Sequence, residues 1–199
     1  MATKYLDLSF TDSVCRAQKQ YYGNVGKIVG APGRDPLSQA EAEFIAERDS
    51  FYLGSISESG WPYIQHRGGP QGFLRVVNEN TLAFADYKGN RQLLTTGNVS
   101  VNDRVALFLM DYKNRERLKI LGHARVEDAR LHSELVAQVS DANMRSSVER
   151  LVFIDVVSFD WNCPKYITPR YSAEEVNELV GPLKTRIAEL EAQLHKAKS

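Results

Sequence analysis

The chain has 199 residues, enough for one domain with additions and for a sizeable buried core. Lys+Arg and Asp+Glu both number 25, so the formal net charge is zero, which argues against bulk binding to nucleic acid or to a membrane surface. Two distant cysteines, Cys15 and Cys163, exclude a disulfide scaffold and lack zinc-ligand spacing. We therefore expect free thiols and no metal site. The N-terminal segment Met1–Asp7 has no apolar h-region, so we also expect no secretory signal and a cytoplasmic location.

The N-terminal third of the chain is predicted to contain an arm and one helix. Glycines and prolines punctuate residues 1–37, which we interpret as an arm that wraps the domain or a partner subunit. Ser38 and Glu41 have the spacing of a capping box, in which each side chain bonds the backbone of the other. This motif predicts a helix from Ser38 to about Arg48, with Phe44 and Ile45 on its buried side.

Most of the remaining chain up to residue 170 is predicted to be β-structure. Short apolar or alternating segments predict strands at 51–57, 62–67, 73–77, 81–84, 104–110, 117–126 and 150–159. Helices are predicted at about 90–96, ending at Gly97 and Asn98, and at about 128–142, where Leu131 belongs to the apolar face. Many strands with short turns favour a closed or nearly closed antiparallel barrel.

The C-terminal end is predicted to be extended and then helical. Two prolines keep residues 161–170 out of a helix, and Ser172 with Glu175 forms a second capping box. Gly181-Pro182 predicts a break or kink, with Pro182 as the first residue of a new helix. The last feature is a short heptad-like seam that could pack on a partner or on the chain's own barrel: Leu183, Ile187, Leu190 and Leu194.

The segment from Ala85 to Gln92 is the strongest candidate for an anion site. It connects a predicted strand to a predicted helix, whose first turn offers N–H groups and the positive end of the helix dipole. Lys88 and Arg91 add full charges, and an arginine can hold a phosphate through two parallel hydrogen bonds. The alternative interpretation is a solvated polar connection.

The sequence shows no acid–base pair, nucleophile triad or metal-ligand cluster, and its four histidines are dispersed. This pattern fits a protein whose reactive atoms belong to a bound cofactor, so we assign no catalytic residue.

From about Ser38 to Arg170, the chain resembles the pyridoxamine-5′-phosphate-oxidase-related flavoproteins, the FMN-binding split-barrel family. The resemblance implies an α+β, mainly antiparallel fold, namely a six-stranded split β-barrel with peripheral helices. We divide the chain into an N-terminal arm (1–37), the split-barrel domain (38–170) and a C-terminal helical extension (171–199). Three segments carry the resemblance: the hairpin 54–69, the stretch 84–108 and the tail 163–170.

The resemblance also implies a homodimer with FMN bound in two clefts between the subunits. The expected function is an FMN-dependent oxidoreductase that passes a hydride or electrons between the flavin and an unidentified small molecule, with NAD(P)H as a candidate donor. The alternatives are a flavin carrier or sensor without turnover, or the same barrel holding haem or a deazaflavin.

Within this resemblance, the cofactor-binding residues can be assigned by chemistry. Arg67, Lys88 and Arg91 are expected to hold the phosphate, together with the backbone of Gly68, Gly69, Gly89 and Asn90. Gln65, His66 and Gln92 are expected at the flavin ring edge or the ribityl chain, Asp86 and Tyr87 lie in the same segment, and Tyr166 and Arg170 are expected to reach the partner's flavin.

The chain departs from authentic pyridoxamine-phosphate oxidases at its C-terminal end. Those enzymes close with a Trp- and Arg-rich segment that holds the vitamin phosphate, whereas Cys163-Pro164-Lys165-Tyr166 and a charged helix stand here. The Gly68-Gly69-Pro70 loop also replaces a lysine-bearing strand. These departures argue against a vitamin B6 substrate without deciding the question.

Overall fold

The computed structural model describes residues 3–24, 33–140, 142–161 and 164–198. These residues form two compact units. The first contains the residues up to Met110 and those from Arg117 to Trp161, and the second contains Asp111–Glu116 and the residues from Pro164 onward.

Seven strands form one sheet in the order β2-β1-β5-β6-β7-β4-β3. The pairs β1–β2, β1–β5, β3–β4, β4–β7 and β6–β7 are antiparallel. The α+β class with mainly antiparallel strands is confirmed, and the sheet has seven strands where the resemblance implied six. Their bounds are β1 Ser50–Ile56, β2 Pro62–Gly68, β3 Arg75–Asn78, β4 Thr81–Tyr87, β5 Arg104–Asp111, β6 Glu116–Asp128 and β7 Val148–Trp161.

Alternation along the strands separates the core from the outer surface. In β1, Phe51 and Leu53 are buried while Tyr52 and Ile56 are exposed, because successive side chains point to opposite faces. In β4, by contrast, the five residues from Leu82 to Asp86 are all buried. The even-numbered Leu82 and Phe84 belong to the main core, whereas Ala83 and Ala85 belong to a second apolar cluster on the opposite face of the sheet.

The described residues also form six α-helices. Their bounds are α1 Thr3–Ser9, α2 Asp12–Tyr22, α3 Gln39–Ala46, α4 Leu94–Val101, α5 Ser133–Val139 and α6 Ala173–Lys198. Within the described residues, no helix is both long and apolar enough to cross a membrane.

The first two helices were not predicted from the sequence. The side chain of Thr11 caps the start of α2 by accepting a hydrogen bond from Val14 N–H, and Gly23, with φ of 71°, ends the helix in the left-handed conformation. Residues 25–32 of the predicted arm lie outside the described residues. Cys15 is a free thiol, as expected, and Cys163 also lies outside the described residues.

The predicted helix at 90–96 is misplaced. Arg91 and Leu93 have positive φ values of 61° and 53°, which are incompatible with a right-handed helix, so α4 begins only at Leu94. Gly97 and Asn98, predicted as the helix end, lie inside α4. The side chain of Asn98 donates to Ser55 Oγ at 2.9 Å, which ties α4 to β1.

The predicted helix at 128–142 is confirmed only in part: Leu135, Val136 and Val139 of its apolar face pack in the second apolar cluster. Strand β6 continues to Asp128, whose carboxylate accepts a hydrogen bond from Arg130 N–H and caps a short 3₁₀ turn, Ala129–Leu131. Only Ser133–Val139 is α-helical, because the strand and its cap occupy the start of the predicted helix. Leu131, assigned to the apolar face, is 78% exposed.

The first capping box is confirmed and has an additional partner. Glu41 bonds the backbone and hydroxyl of Ser38, and its other carboxylate oxygen accepts a hydrogen bond from Trp161 Nε1 at 2.6 Å. The indole also packs edge-on against Phe44, with ring centroids 4.7 Å apart. Glu41 thus joins α3 to the end of β7.

We expect this contact to make stability sensitive to acid. Burial alone would raise the pKa of Glu41, but the hydrogen bonds from Ser38 and Trp161 outweigh burial and hold the pKa below its ordinary value of 4.5. Ionised Glu41 therefore contributes to folding stability above pH 4.5, and this contribution is lost as pH falls through the lower pKa of Glu41 in the folded state. Denaturant unfolding of Glu41→Gln should show lower stability at neutral pH and a weaker decline below pH 4.5. Glu43→Gln, on the exposed face of α3, is the control; an equal effect of both changes would contradict this assignment.

The second unit is dominated by α6. The second capping box is confirmed: Ser172 N–H donates to Glu175, and Glu175 N–H donates to Ser172 Oγ. Lys113 lies 3.3 Å from the Glu175 carboxylate. The predicted new helix at Pro182 is wrong, because α6 runs without interruption from Ala173 to Lys198 and contains Pro182.

Candidate functional site

A cleft of about 230 Å³ lies where β2, the end of β4 and the start of α4 meet. All of these elements belong to the first unit. The residues that line the cleft are Tyr63, Gln65, Arg67, Asp86, Tyr87, Gly89, Asn90, Arg91, Gln92, Leu93, Leu94, Thr95, Thr96 and Arg150. The charged residues of this lining are Arg67, Arg91, Arg150 and Asp86, so its formal charge is positive.

One carboxylate joins two of the arginines. Arg67 Nη1 lies 2.7 Å from Asp86 Oδ1, and Arg150 Nε lies 2.8 Å from Asp86 Oδ2. The three side chains are only 11–20% exposed, so water screens these interactions poorly. Glu149 adds a further carboxylate, 3.1 Å from Arg150 Nη2, outside the cleft lining.

Arg67 is held in place by more than its ion pair. Its guanidinium lies 5.5 Å from the centre of the buried Phe84 ring, a cation–π distance. Its Nε is buried and has no hydrogen-bond partner among the described residues. A buried donor without a partner is costly, which indicates a place where a ligand acceptor would be stabilising.

The loop between β4 and α4 leaves the first turn of the helix open to the cleft. Leu93, at the N-cap position, makes no side-chain capping bond, and its left-handed backbone turns the chain abruptly into α4. The side chain of Asn90 accepts a hydrogen bond from Gln92 N–H at 3.1 Å, which stabilises the loop. N–H groups in the first turn of a helix that no side chain caps favour an anion.

A hydrogen bond connects α4 to β2 across the cleft. Thr95 Oγ1 donates to Gln65 Oε1 at 2.7 Å, so the buried hydroxyl of α4 orients the amide of β2. This contact fixes the orientation of Gln65 toward the cleft.

The structure brings together eight of the fourteen predicted cofactor-binding residues in the cleft lining. They are Gln65, Arg67, Asp86, Tyr87, Gly89, Asn90, Arg91 and Gln92. The reason is local in both cases. Alternation in β2 directs Gln65 and Arg67 to the same face, and the other six lie between Asp86 and Gln92, at the end of β4 and in the loop that follows it.

The other predicted residues of the first unit lie outside the cleft lining. His66 occupies the opposite face of β2, where its ring packs against Tyr52 with centroids 5.6 Å apart, and Gly68 shares that face. Gly69 N–H donates to Asp49 C=O at 2.9 Å, and a Cβ there would lie 2.7 Å from Phe73 Cγ. Lys88 N–H donates to Ser147 C=O, and its side chain is exposed.

Tyr166 and Arg170 belong to the second unit. Tyr166 has a φ of 67° and is 91% exposed, and Lys165 Nζ lies 5.1 Å from the centre of its ring. The Arg170 guanidinium lies 4.8 Å from the ring centre of Tyr112, within the same unit.

Sequence reasoning missed Arg150 and Thr95. Arg150 is the third residue of β7 and stands opposite Asp86 in the antiparallel register of β4 and β7. Opposite charges at facing positions are the signal that could have found it, but only once these two strands are known to pair.

A broader hollow of about 690 Å³ adjoins the cleft and shares Gln92, Leu93 and Leu94 with it. Its other walls are the β1–β2 turn at Ser57–Ser59 and the exposed side of α4, from Gly97 to Val101. This hollow is wide open to solvent, and its exposed leucines and valine, Leu93, Leu94 and Val101, offer apolar surface.

These features define a class: a mainly antiparallel α+β protein with an arginine-lined cleft beside a helix N-terminus. The protein-family model for pyridoxamine 5′-phosphate oxidase matches residues 37–154, which is more than half of the chain. The chain therefore belongs to the pyridoxamine 5′-phosphate oxidase family. A comparison with curated proteins found no match.

Several solved structures are similar to this chain. HupZ from Group A Streptococcus is 12% identical, covers 68% of this chain and 100% of its own, and has a TM-score of 0.51. An FMN-binding protein from Syntrophomonas wolfei is 8% identical, with coverages of 61% and 83% and a TM-score of 0.44. HutZ, a heme storage protein from Vibrio cholerae, is 16% identical, with coverages of 63% and 94% and a TM-score of 0.44. At these identities the likeness concerns the fold alone.

Proposed function

We propose that this protein binds FMN and acts as an oxidoreductase on a small molecule. The observation that carries the proposal is the buried, unpartnered Nε of Arg67 in a cleft lined by three arginines and the first turn of α4. A phosphate monoester offers the charge and the acceptor oxygens that this cleft lacks.

The phosphate end of FMN would be held by Arg67, Arg91 and Arg150 and by the N–H groups at the start of α4. Asp86 keeps Arg67 and Arg150 close together despite their like charges, so the guanidiniums are arranged before the anion arrives. Such an arrangement reduces the ordering that binding would otherwise require.

The adjoining hollow is the candidate place for the flavin ring, with Gln65 and Gln92 as hydrogen-bonding groups near its edge. When bound, FMN supplies a ring that accepts and donates a hydride or single electrons. The chain's own residues would bind the cofactor, orient it and leave one side accessible to a substrate such as NAD(P)H.

We further propose a homodimer, because the outer face of the β1–β2 hairpin is apolar and exposed. Tyr52, Ile56 and Ile64 are 41%, 40% and 69% exposed, and the strand register places them on one face. Contiguous apolar surface of this kind marks an interaction site. In such a dimer, Tyr166 and Arg170 are proposed to reach the flavin of the second subunit. His66, Gly68, Gly69 and Lys88 stay proposed FMN contacts, although they are outside the cleft lining.

Ligand identification tests the proposal directly. Protein denatured straight after purification should release a compound with the mass of FMN, and the native protein should show bound-flavin absorbance. Anaerobic bleaching by NADH or NADPH and recovery with an acceptor would establish turnover. A flavin that is never reduced would instead support a carrier or sensor, and a Soret band or a deazaflavin mass would overturn the FMN assignment.

We expect Arg67→Ala to weaken FMN binding roughly ten- to a hundredfold, since a lost charge-assisted hydrogen bond is worth about 1.5–3 kcal/mol. Titration of apoprotein with FMN, followed by flavin fluorescence, measures the change. Lys88→Ala is expected to weaken FMN binding as well and tests whether a cation outside the cleft lining contributes.

The control for Arg67→Ala is Arg104→Ala, which removes an exposed arginine at the start of β5 that is outside the cleft lining. Arg67→Lys keeps the charge and removes the planar fork, so it should retain part of the affinity. Equal FMN affinities in the native protein and Arg67→Ala would remove Arg67 from the phosphate site.

A further inference from the structure

The C-terminal helix α6 carries an apolar seam with the repeat of a coiled coil. Its spacings are four, three, four, three and four residues, which is an uninterrupted heptad pattern. Each of the six side chains is at least partly exposed: Val176, Val180, Leu183, Ile187, Leu190 and Leu194.

The residue types in the seam indicate how many helices such a coiled coil would contain. Assigning Val180, Ile187 and Leu194 to the a positions places Val176, Leu183 and Leu190 at the d positions. Two of the three a positions hold β-branched residues, Val180 and Ile187, and two of the three d positions hold leucines, Leu183 and Leu190. This combination favours two parallel strands. Gly181 and Pro182 then occupy the b and c positions, away from the seam, so the proline does not interrupt it.

The charged residues beside the seam indicate that it pairs with α6 of a second copy and that the two helices run parallel. Arg186 is at a g position and Glu191 is at the following e position, and these positions face each other between two parallel, in-register helices. In a fully overlapped antiparallel pair, g faces g and e faces e. That arrangement would set Arg186 against Arg186 of the second copy and Lys184 against Lys184 of the second copy.

We propose that α6 forms a parallel, in-register, two-stranded coiled coil with α6 of a second copy of this chain. The exposed seam supplies the apolar contact, and the Arg186–Glu191 pairs between the copies select the parallel direction. This interface is independent of the proposed flavin site, so either proposal can fail without the other.

Disulfide trapping in the full-length chain tests the geometry. In a Cys15→Ser/Cys163→Ser background, Ile187→Cys and Leu190→Cys each place a thiol opposite its own copy. Parallel helices bring such positions within the Cα separation of a disulfide, about 5.5–6 Å. We expect mild oxidation to convert most of either variant to a covalent dimer on a non-reducing gel.

Ala192→Cys, at an outward f position of the same helix, is the matched control and should remain largely monomeric on the gel. Circular dichroism confirms that each variant stays folded. Dimers no more abundant in Ile187→Cys and Leu190→Cys than in Ala192→Cys would overturn the proposal. Selective cross-linking between Leu183→Cys and Ile187→Cys chains, without self-linking, would also overturn it by indicating antiparallel helices.

Charge reversal tests the ion pair. In the Leu190→Cys background, Arg186→Glu or Glu191→Arg should lower the cross-linked fraction about two- to fivefold, and the double variant should restore it. Arg186 also pairs with Glu189 of its own helix at 2.9 Å, a contact that the double variant does not restore. Residues five apart are separated by about 140° around a helix, so recovery requires contact between copies. No recovery in the double variant would contradict the proposed register.

Discussion

Asp86→Asn is expected to lower the free energy of unfolding by about 3 kcal/mol, which is the lower end of the range for breaking a buried ion pair. The change leaves the guanidiniums of Arg67 and Arg150 close together with no carboxylate between them. Both side chains are at most 20% exposed, so water compensates poorly for the lost charge. Denaturant unfolding monitored by circular dichroism measures the loss.

The matched control is Asp7→Asn, which removes a carboxylate 3.7 Å from Lys4 on the surface of α1. A pair of this kind contributes about 0–1 kcal/mol, so the control should change little. A further readout separates a binding role from a purely structural one. Added FMN or inorganic phosphate should recover more stability in Asp86→Asn than in the native protein, because an anion can replace the missing charge. Equal losses for Asp86→Asn and Asp7→Asn would show that the arginine pair needs no carboxylate.

Leu107→Ala is expected to lower the free energy of unfolding by about 3–4 kcal/mol. Leu107 lies in β5, near the middle of the sheet order, and only 1% of its surface is exposed. Removing its isobutyl group takes away apolar contacts and leaves a cavity that the surrounding strands can only partly fill. The midpoint of urea unfolding, at unchanged slope, reports the loss.

The same substitution at Leu131 provides the control. Leu131 is 78% exposed in the 3₁₀ turn after β6, so Leu131→Ala should change stability by no more than about 0.5 kcal/mol. A small effect at Leu107 would mean that the core relaxes around the cavity.

The sequence was sufficient to predict most of the sheet, because strand periodicity is a local signal. The alternation of β2 also predicts that Gln65 and Arg67 share a face, which is the basis of the cleft. The same alternation places His66 on the opposite face of β2. Both predicted capping boxes are present, since each depends on side chains only three residues apart.

The parts that could not be predicted depend on distant contacts or on backbone conformation. The role of Arg150 emerges only from the pairing of β7 with β4, which are more than 60 residues apart. The start of α4 depends on positive φ values at Arg91 and Leu93, residue types that rarely adopt them. The end of β6 depends on its long antiparallel pairing with β7, which extends the strand into the predicted helix.

Because Trp161 donates a hydrogen bond to Glu41, its fluorescence can report whether α3 is docked against the end of β7. The chain has two tryptophans, and the other, Trp61, is 76% exposed. Detachment of α3 would move only the Trp161 indole from a carboxylate and an aromatic neighbour into water. A Trp61→Phe variant would thus allow stopped-flow fluorescence to time the docking of this helix separately from formation of the sheet.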